Sequence, residues 1–433
     1  MTTLRVRNGR VLHPDHSVTE SDVLIDQSTG TIERVAAPNA IEAEADETLD
    51  AEGGLVIPGL VNAHGHAAMT LLRGYADDKP LDAWLQEDIW PAEGELTAED
   101  IKAGTELAAV EMIRSGTTGF ADMYFEEPHV AAVVEDAGLR ALLGYGYITV
   151  GKTEADARAD MEASVNFAEQ YAKVGGDRIK TAVMPHSLTT ANEALLREGV
   201  ERAREADLPV HIHANETVDE VEPIVAERGV RPLEYAENAG LLADGDFLAH
   251  CVHVDDEEIE ILADADATVV HCPASNAKLA SGIAPVADML DAGVTVGLGT
   301  DGAASNNDLD MFDEMRDAAM LGKLGADDAA AVPAGAAVRM ATEGSAAALG
   351  FDSGRIEEGA NADLAVLDLD AAHLTPSHDL VSHLAYAATG SDVRHTVCGG
   401  DVLMEDREIQ TLDEESVKEQ AAEQAEELVA RVE

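Results

Sequence analysis

The sequence predicts an α/β fold, a (β/α)8 barrel of the TIM type that carries a discontinuous β-sandwich built from the N- and C-terminal segments. Three observations predict it. Between Pro58 and about Glu357, apolar strand-like runs alternate with amphipathic helical stretches, as in parallel α/β folds. Eight such runs fall within about 300 residues, the size of one barrel. Before Pro58 the pattern is short and β-like with no helix-length period, and β character returns after the barrel. The expected division is 1–57 for the first part of the sandwich, 58–357 for the barrel, and 358–433 for the second part with a C-terminal helix.

The first strands are Leu4 to Val11, where Leu4-Arg5-Val6-Arg7 alternates, then Val23-Leu24-Ile25 and Thr31 to Val35, separated by a turn at Ser28 to Gly30. Pro58-Gly59-Leu60-Val61 is a turn leading into the first barrel strand, which enters His64. The other seven are Thr118 to Met123, Arg140 to Gly144, Ile179 to Met184, Val210 to His213, Phe247 to His250, Thr268 to His271 and Thr295 to Gly299. In such a barrel the active site lies at the C-terminal ends of the strands. His64, His66, His186, His213, His250, His271 and Asp301 all stand at or just after the end of a run. Beyond the barrel, Asp363 to Leu369, Val393 to Cys398 and Asp401 to Met404 are expected to pair with the N-terminal strands. Finally, Val417, Ala421, Ala425, Leu428 and Val432 form one helical stripe, expected to pack on its own chain, with a homo-oligomer contact as the alternative.

Composition bounds what this fold can do. The chain has 433 residues, ample for a full core, and its 46% apolar content is ordinary for a globular protein. No run of apolar residues is long enough to span a membrane. The charge is not ordinary: 85 acidic against 28 basic residues give −57, which excludes nucleic-acid binding through a basic face. The acidic residues are spread along the whole chain, and of the basic ones only 8 are Lys against 20 Arg. Such a surface repels itself in dilute buffer, while at 1 M salt the Debye length falls to about 3 Å and the repulsion is screened. It reads as the surface of a protein from a salt-accumulating halophile. The three cysteines, Cys251, Cys272 and Cys398, have no C-x-x-C spacing, so they indicate neither a disulfide framework nor a thiolate zinc site. The N-terminus shows no signal-peptide pattern, and a cytoplasmic location is expected.

His64 and His66 are two residues apart, which in a strand turns both side chains to one face. A single H-x-H is a weak signal among 15 histidines, but a second recurs as His211 and His213 on another predicted strand. Imidazole pairs from separate strands can supply nitrogen ligands to zinc, which also needs an open position for water. Asp301, at the end of an apolar strand and flanked by glycines, is the candidate carboxylate; capping of the following helix is its alternative role.

These residues lie in stretches that resemble the amidohydrolase superfamily, and within it the 5′-methylthioadenosine/S-adenosylhomocysteine deaminases and related adenosine-type deaminases. The stretches are Pro58 to His66 (PGLVNAHGH), Met69 to Gly74 (MTLLRG), Ser115 to Tyr124 (SGTTGFADMY), His211 to Thr217 (HIHANET), Ala249 to Val254 (AHCVHV), His271 to Asn276 (HCPASN) and Gly299 to Asn307 (GTDGAASNN). Several motifs in one order are far more specific than any one of them. The resemblance implies that His64, His66, His213 and Asp301 bind one Zn²⁺, with Fe²⁺ or Mn²⁺ as alternatives, together with a water whose pKa falls from about 15.7 towards 7. It gives Asp301 the proton of that water, His250 the orientation of the resulting hydroxide, and Glu216 the protonation of the purine ring nitrogen. It places Glu93 on the ribose hydroxyls, with Glu95 as a rival, and His186 on a purine ring nitrogen. Trp84 or Trp90 would cover the base or pack the loop after the first strand. His211 is expected one layer below His213, supporting the site or packing, and His271 has no assigned role. Lys180 lies at the beginning of the fourth strand, where it cannot serve as the bridging carboxylated lysine of two-metal relatives, so one metal is expected.

The implied activity is hydrolytic deamination of an adenine nucleoside (5′-methylthioadenosine, 5′-deoxyadenosine, adenosine or S-adenosylhomocysteine) to the inosine-type product and ammonia. The sequence departs from relatives that hold an amino-acid tail, because Tyr145 and Tyr147 stand where they carry arginines and only Arg158 is nearby. Uncharged nucleosides are therefore the expected substrates. The alternatives are a guanine or cytosine deaminase or an s-triazine chlorohydrolase of the same site type, and, from another class, a barrel that has lost catalysis and serves as a scaffold. The expected partner is a small-molecule nucleoside, with neither nucleic acid nor membrane. The charge generates one prediction: the thermal unfolding midpoint should rise from dilute buffer to molar KCl, and equal stability in both would overturn the halophilic reading.

Overall fold

In the computed structural model, which describes residues 2–42 and 44–432, the chain opens with β1 (Thr3–Leu12), β2 (Val18–Asp26), β3 (Thr31–Ala36), β4 (Glu47–Asp50) and β5 (Leu55–Pro58). The alternation in β1 sets its faces, Leu4 and Val6 being buried while Arg7 is exposed. β2 pairs antiparallel with both β1 and β3, and β4 and β5 run parallel to successive stretches of β1.

The parallel strands follow: β6 (Leu60–Asn62), β7 (Gly65–His66), β8 (Thr117–Tyr124), β9 (Arg140–Tyr147), β10 (Ile179–Thr181) and β11 (Met184–Pro185). Then come β12 (His211–Ala214), β13 (Phe247–His250), β14 (Thr268–His271), β15 (Val296–Leu298) and β16 (Asp301–Gly302). One series pairs in the order β6, β8, β9, β10 with β11 also on β9, and a second in the order β12, β13, β14, β15. The two series meet through the parallel bridges Val183↔Val210 and Ser187↔His213. At the other side Ala63 N donates to Leu298 O at 2.8 Å, Asp301 N donates to His64 O at 3.0 Å, and β16 pairs with β7. The pairing thus returns to its starting strand. Asn62 locks this seam, its Nδ2 donating to Thr300 Oγ1 at 2.7 Å and its Oδ1 accepting from Thr300 N at 2.9 Å. The approach is close enough to require glycine at 299, where a Cβ would stand 2.8 Å from the His64 backbone nitrogen. The run expected as one strand over Ile179 to Met184 is divided, because Val183 leaves β9 to bridge Val210.

Three apolar clusters follow from this layout. Val61, Ala121, Leu142, Phe247 and Val270 from the parallel strands, with Ala182 between β10 and β11, pack together with Leu349 and Phe351. A larger cluster joins the strands to their helices, and a third belongs to the terminal strands. The chain returns to those strands with β17 (Leu364–Leu367), β18 (Val393–Cys398), β19 (Asp401–Glu405) and β20 (Glu408–Ile409). β17 pairs antiparallel with β5, so both ends of the chain share one nine-stranded sheet. In the last helix, Glu414–Val432, the predicted stripe faces inward, with Val417, Ala421 and Leu428 buried. Arg114 and Arg431 tie its two ends to the helix Ala98–Arg114 through Glu414 and Asp100. No helix among the described residues is long and apolar enough to cross a membrane.

One buried ion pair joins the terminal sheet to the parallel strands. Arg140, at the start of β9, donates through Nε to Asp363 Oδ2 at 2.8 Å, and the two side chains are 7% and 1% exposed. Asp363 also accepts from Ser353 Oγ and from Gly399 N. Removing one member of such a pair leaves an uncompensated buried charge, a cost of about 3–5 kcal/mol. Asp363→Ala should therefore lose about that much in denaturant unfolding in molar KCl, whereas a loss under 1 kcal/mol would show that the two layers hold together without this contact.

Candidate active site

The side chains singled out in the sequence meet where the parallel strands end. His64 lies between β6 and β7, His66 on β7, His213 on β12, His250 at the end of β13 and Asp301 at the start of β16. Their ring protons are committed behind the site. His66 Nδ1 donates to Met123 O at 2.7 Å and His213 Nδ1 to His186 O at 2.7 Å, since a carbonyl can only accept. His211 Nδ1 likewise donates to Phe247 O at 2.8 Å, which leaves its Nε2 as the acceptor for His64 Nδ1, also at 2.8 Å. In neutral rings this bonding leaves the Nε2 lone pairs of His64, His66 and His213 for the site.

Asp301 is held in the same manner. Its Oδ2 accepts from Ser275 Oγ at 2.6 Å and Ser305 Oγ at 2.8 Å, while Oδ1 stands 3.1 Å from His66 Nε2 and 3.5 Å from His64 Nε2. His64 Nε2 is buried and has no hydrogen-bond partner. Ligand atoms of His64, His213, His250 and Asp301 lie within 4.8 Å of one another. Buried imidazole lone pairs facing a carboxylate fit a divalent cation of the zinc type, which takes nitrogen and oxygen donors and offsets the burial of the charge. For His64 and His213 the titration behaviour agrees. Burial pushes His64 down to about 4 and His213 well below its ordinary value, so both are neutral at pH 7. Burial alone would raise Asp301, but its contacts with the His64 and His66 rings hold it well below the usual carboxylate range. Burial would lower His66 too, yet the hydrogen bond and charge of Asp301 outweigh it and hold the ring at about 9. A cation placed among these atoms competes with that proton.

A cavity of about 300 Å³ opens over this cluster. Glu216 lies in its wall, three residues beyond His213, with Oε1 accepting from Ser281 Oγ at 3.3 Å and Oε2 3.8 Å from His250 Nε2. Burial raises its pKa, partly offset by the charge of His250. His250 Nδ1 in turn meets Asn276 Oδ1 at 2.9 Å. Glu93, Trp84, Trp90 and His186 all line the cavity, whereas Glu95 is exposed and outside it. Trp84 also donates through Nε1 to Ala76 O at 3.1 Å, so it packs its loop as well. Burial raises Glu93 to about 7, with Tyr124 and the charge of His66 opposing it, and burial lowers His186 to about 3.

Other expected residues stand apart. Tyr145 and Tyr147 do not line the cavity; the inner face there carries Gly146 and Ile148. Tyr147 is buried instead against Gly199 of the helix Glu193–Glu205. The period of two in β9 turns alternate side chains to opposite faces, and the tyrosines occupy the outer one. Arg158 pairs with Glu198 at 2.6 Å, away from the cavity, and no Arg or Lys lines the cavity among the described residues. Lys180 bonds Gly350 O, and His271 is buried outside the cavity with its Nδ1 unpartnered. Sequence reasoning did not single out Ser275, Ser305, Asn276 or Ser281, which hold Asp301, His250 and Glu216. Their only signal was membership of, or closeness to, the same motifs as His271 and Asp301.

The chain belongs to the amidohydrolase family, whose profile matches residues 55–403. Among curated relatives, a 5-methylthioadenosine/S-adenosylhomocysteine deaminase from Natronomonas pharaonis is 64% identical over 433 residues, covering 100% of both chains. Another of that name from Halobacterium salinarum is 66% identical over 429 residues, covering 99% of both. Among solved structures, an adenosine deaminase from Xanthomonas campestris with bound zinc superposes with a TM-score of 0.93 at 37% identity, covering 99% of both chains. The family resemblance and the halophilic kinship expected from sequence are thus borne out.

The relay behind His64 generates a prediction. His211→Phe keeps a ring against Phe247 but removes the acceptor for His64 Nδ1. Loss of such a supporting partner typically costs 10–100-fold in metal affinity. Zinc affinity measured by chelator competition should fall by about that factor, and an unchanged affinity would reduce His211 to packing.

Proposed function

We propose that this chain hydrolytically deaminates adenine nucleosides, replacing the exocyclic amino group by oxygen and releasing ammonia. The observation that carries the reading is Glu216, a buried carboxylate of raised proton affinity, standing in the cavity wall beside the His/Asp cluster. The names of the curated relatives and of the solved zinc-bound structure point the same way. We read the closed series of parallel strands as a (β/α)8 barrel over residues 58–357, and the terminal sheet as the sandwich of 1–57 with 358–433, in a cytoplasmic enzyme.

In this reading His64, His66, His213 and Asp301 hold one zinc ion. Zinc bound there supplies a Lewis acid that lowers the pKa of a water from 15.7 to about 7. Asp301 Oδ1, free of the two serine hydroxyls, takes the proton that the water gives up. His250, fixed by Asn276, orients the attacking oxygen, and Glu216 delivers its proton to the ring nitrogen as the amino-bearing carbon is attacked. Glu216 then takes up the proton that the attacking oxygen loses as the carbonyl forms and passes it to the departing amino group, and the proton held by Asp301 finally restores Glu216, so that water and the amino nucleoside give the keto nucleoside and ammonia. His186, whose Nδ1 meets Thr190 Oγ1 at 3.0 Å, presents Nε2 to a purine ring nitrogen. Trp84 and Trp90 cover the base. Glu93 binds the ribose hydroxyls, which favours a nucleoside over a free base or a triazine.

The lining carries Asp82, Asp219 and Glu220 but neither Arg nor Lys among the described residues, so nothing there pairs with the carboxylate of an amino-acid tail. Uncharged nucleosides should be the better substrates. Ammonia release in molar KCl should give a higher kcat/KM for 5′-methylthioadenosine, 5′-deoxyadenosine or adenosine than for S-adenosylhomocysteine; the reverse order over all three would overturn the preference. Glu216→Gln should keep its zinc and lose roughly 10²–10⁴-fold in kcat, the usual share of a general acid/base. Turnover at the wild-type rate in that variant would remove Glu216 from the reaction.

A further inference from the structure

Among the described residues, two α-helices begin with a capping residue that is answered in return three positions later. Before Ala98–Arg114, Thr97 accepts from Asp100 N, and Asp100 Oδ2 accepts from the amide of Thr97 itself at 2.7 Å. Before Asp256–Ala265, Glu258 Oε2 accepts from the amide of the cap Asp255 at 3.3 Å in the same way. These are ordinary reciprocal caps. The helix Val218–Arg228, which follows β12, has Thr217 and Glu220 at the same spacing, and Thr217 Oγ1 accepts from Glu220 N at 3.2 Å. The return bond is displaced by one residue. Glu220 Oε2 accepts from the amide of Glu216, at 2.9 Å.

The displacement falls on the residue whose carboxylate faces His250. Its cause lies in the turn out of β12, where Asn215 takes a left-handed φ of 52°. Asn215 is pinned from behind, with Nδ2 donating to both oxygens of the buried Glu258 at 3.1 and 3.2 Å and its carbonyl accepting from His253 N at 2.9 Å. Glu216 is thus held between an anchored Asn215 and the carboxylate of Glu220, leaving its side chain one course, towards Ser281 and His250. Glu220 lines the same cavity, and its Oε1 is buried without a protein donor. Burying a carboxylate oxygen unpaired is costly, and the ordinary bond to the Thr217 amide would cap the helix equally well.

We propose that Glu220 is a positioning residue for Glu216: by gripping its amide, Glu220 sets where the acid/base carboxylate stands over the substrate. The role rests on the deaminase reading given above. Glu220→Gln keeps an acceptor oxygen at the same reach, Glu220→Ala removes it, and Glu220→Asp withdraws it by one methylene. With zinc-loaded enzyme and 5′-methylthioadenosine in molar KCl, the Gln variant should stay within about threefold of the wild-type kcat. The Ala and Asp variants should lose roughly 10–100-fold in kcat, with KM within about threefold and zinc content unchanged, as expected for misplacement of a reacting group. If the Ala variant does not fold, the Asp variant carries the test. Thr97→Ala, which removes an ordinary cap, should lower Tm without changing kcat, separating lost stability from lost positioning. Wild-type kcat in the Asp variant, or a Gln variant as slow as the Asp variant, overturns the role. Glu216→Gln run alongside separates the two levels. Full activity there removes Glu216 from the reaction and this role with it, no ammonia release by the wild type sinks the deaminase reading itself, and an inactive Glu216→Gln beside a fast Glu220→Asp sinks only the positioning role.

Discussion

The site depends on protons being held away from it. Each ring nitrogen that faces the cluster is available because the opposite nitrogen of that ring is bonded to an acceptor behind it. Met123 O at β8, His186 O beyond β11 and Phe247 O at β13 all come from strands other than the one that carries the histidine they serve. The chemistry is therefore a consequence of strand register. His211 pairs directly with Phe247 between β12 and β13, and Ser187 bridges His213. A slip of one residue would turn every second side chain to the opposite face and take the acceptors away. The close seam at Gly299 serves the same end, because it brings Asp301 against the strand that carries His64 and His66.

Burial of this cluster sets a second condition, since the molecule must bury carboxylates in a chain already bearing −57. Asp100, Asp246, Glu258 and Asp363 have side chains no more than 1% exposed, and each is met by an arginine: Arg431, Arg204, Arg231 and Arg140. Arginine suits such positions because its planar fork makes several directed bonds and is less strongly hydrated than an ammonium. The preference for 20 Arg over 8 Lys therefore has an internal reason beside the external one. The surplus carboxylates meet solvent and salt, while these four fasten helices and sheets together. Among the described residues the cavity receives none of the arginines, so its acidic wall is left to water and substrate.

Local pattern carried much of this into the sequence. Runs of apolar residues marked the parallel strands, and the period of two put His64 with His66 and His211 with His213 on common faces. Depth was also readable: His211 lies one layer below His213 and touches His64. The parity of Tyr145 and Tyr147 was not legible, because a strand pattern says that neighbours alternate without saying which set faces inward. The division of β10 from β11 follows from Val183 pairing with Val210, a contact between strands that neither segment encodes alone. The same reason hid Ser275, Ser305 and Asn276. Serine and asparagine are common in turns, and only the assembled strand ends decide which hydroxyl meets Asp301.

The backbone at those strand ends carries the remaining constraint. Asn215, His250, Cys251 and Asp301 all adopt positive φ, between 46° and 72°, although none is glycine. Such conformations cost of order 1–3 kcal/mol each and persist only where surrounding bonds over-determine them. Here the bonds are visible. Cys251 N donates to Ala214 O at 3.0 Å, His253 N to Asn215 O at 2.9 Å and Asp301 N to His64 O at 3.0 Å, so each sharp turn is tied to a neighbouring strand end. The turns stop the strands abruptly and bring His250, Asp301 and, one residue past Asn215, Glu216 to the cavity wall. The ladder that closes the strands is thus also what holds these strained turns, and stability and catalysis draw on the same few hydrogen bonds.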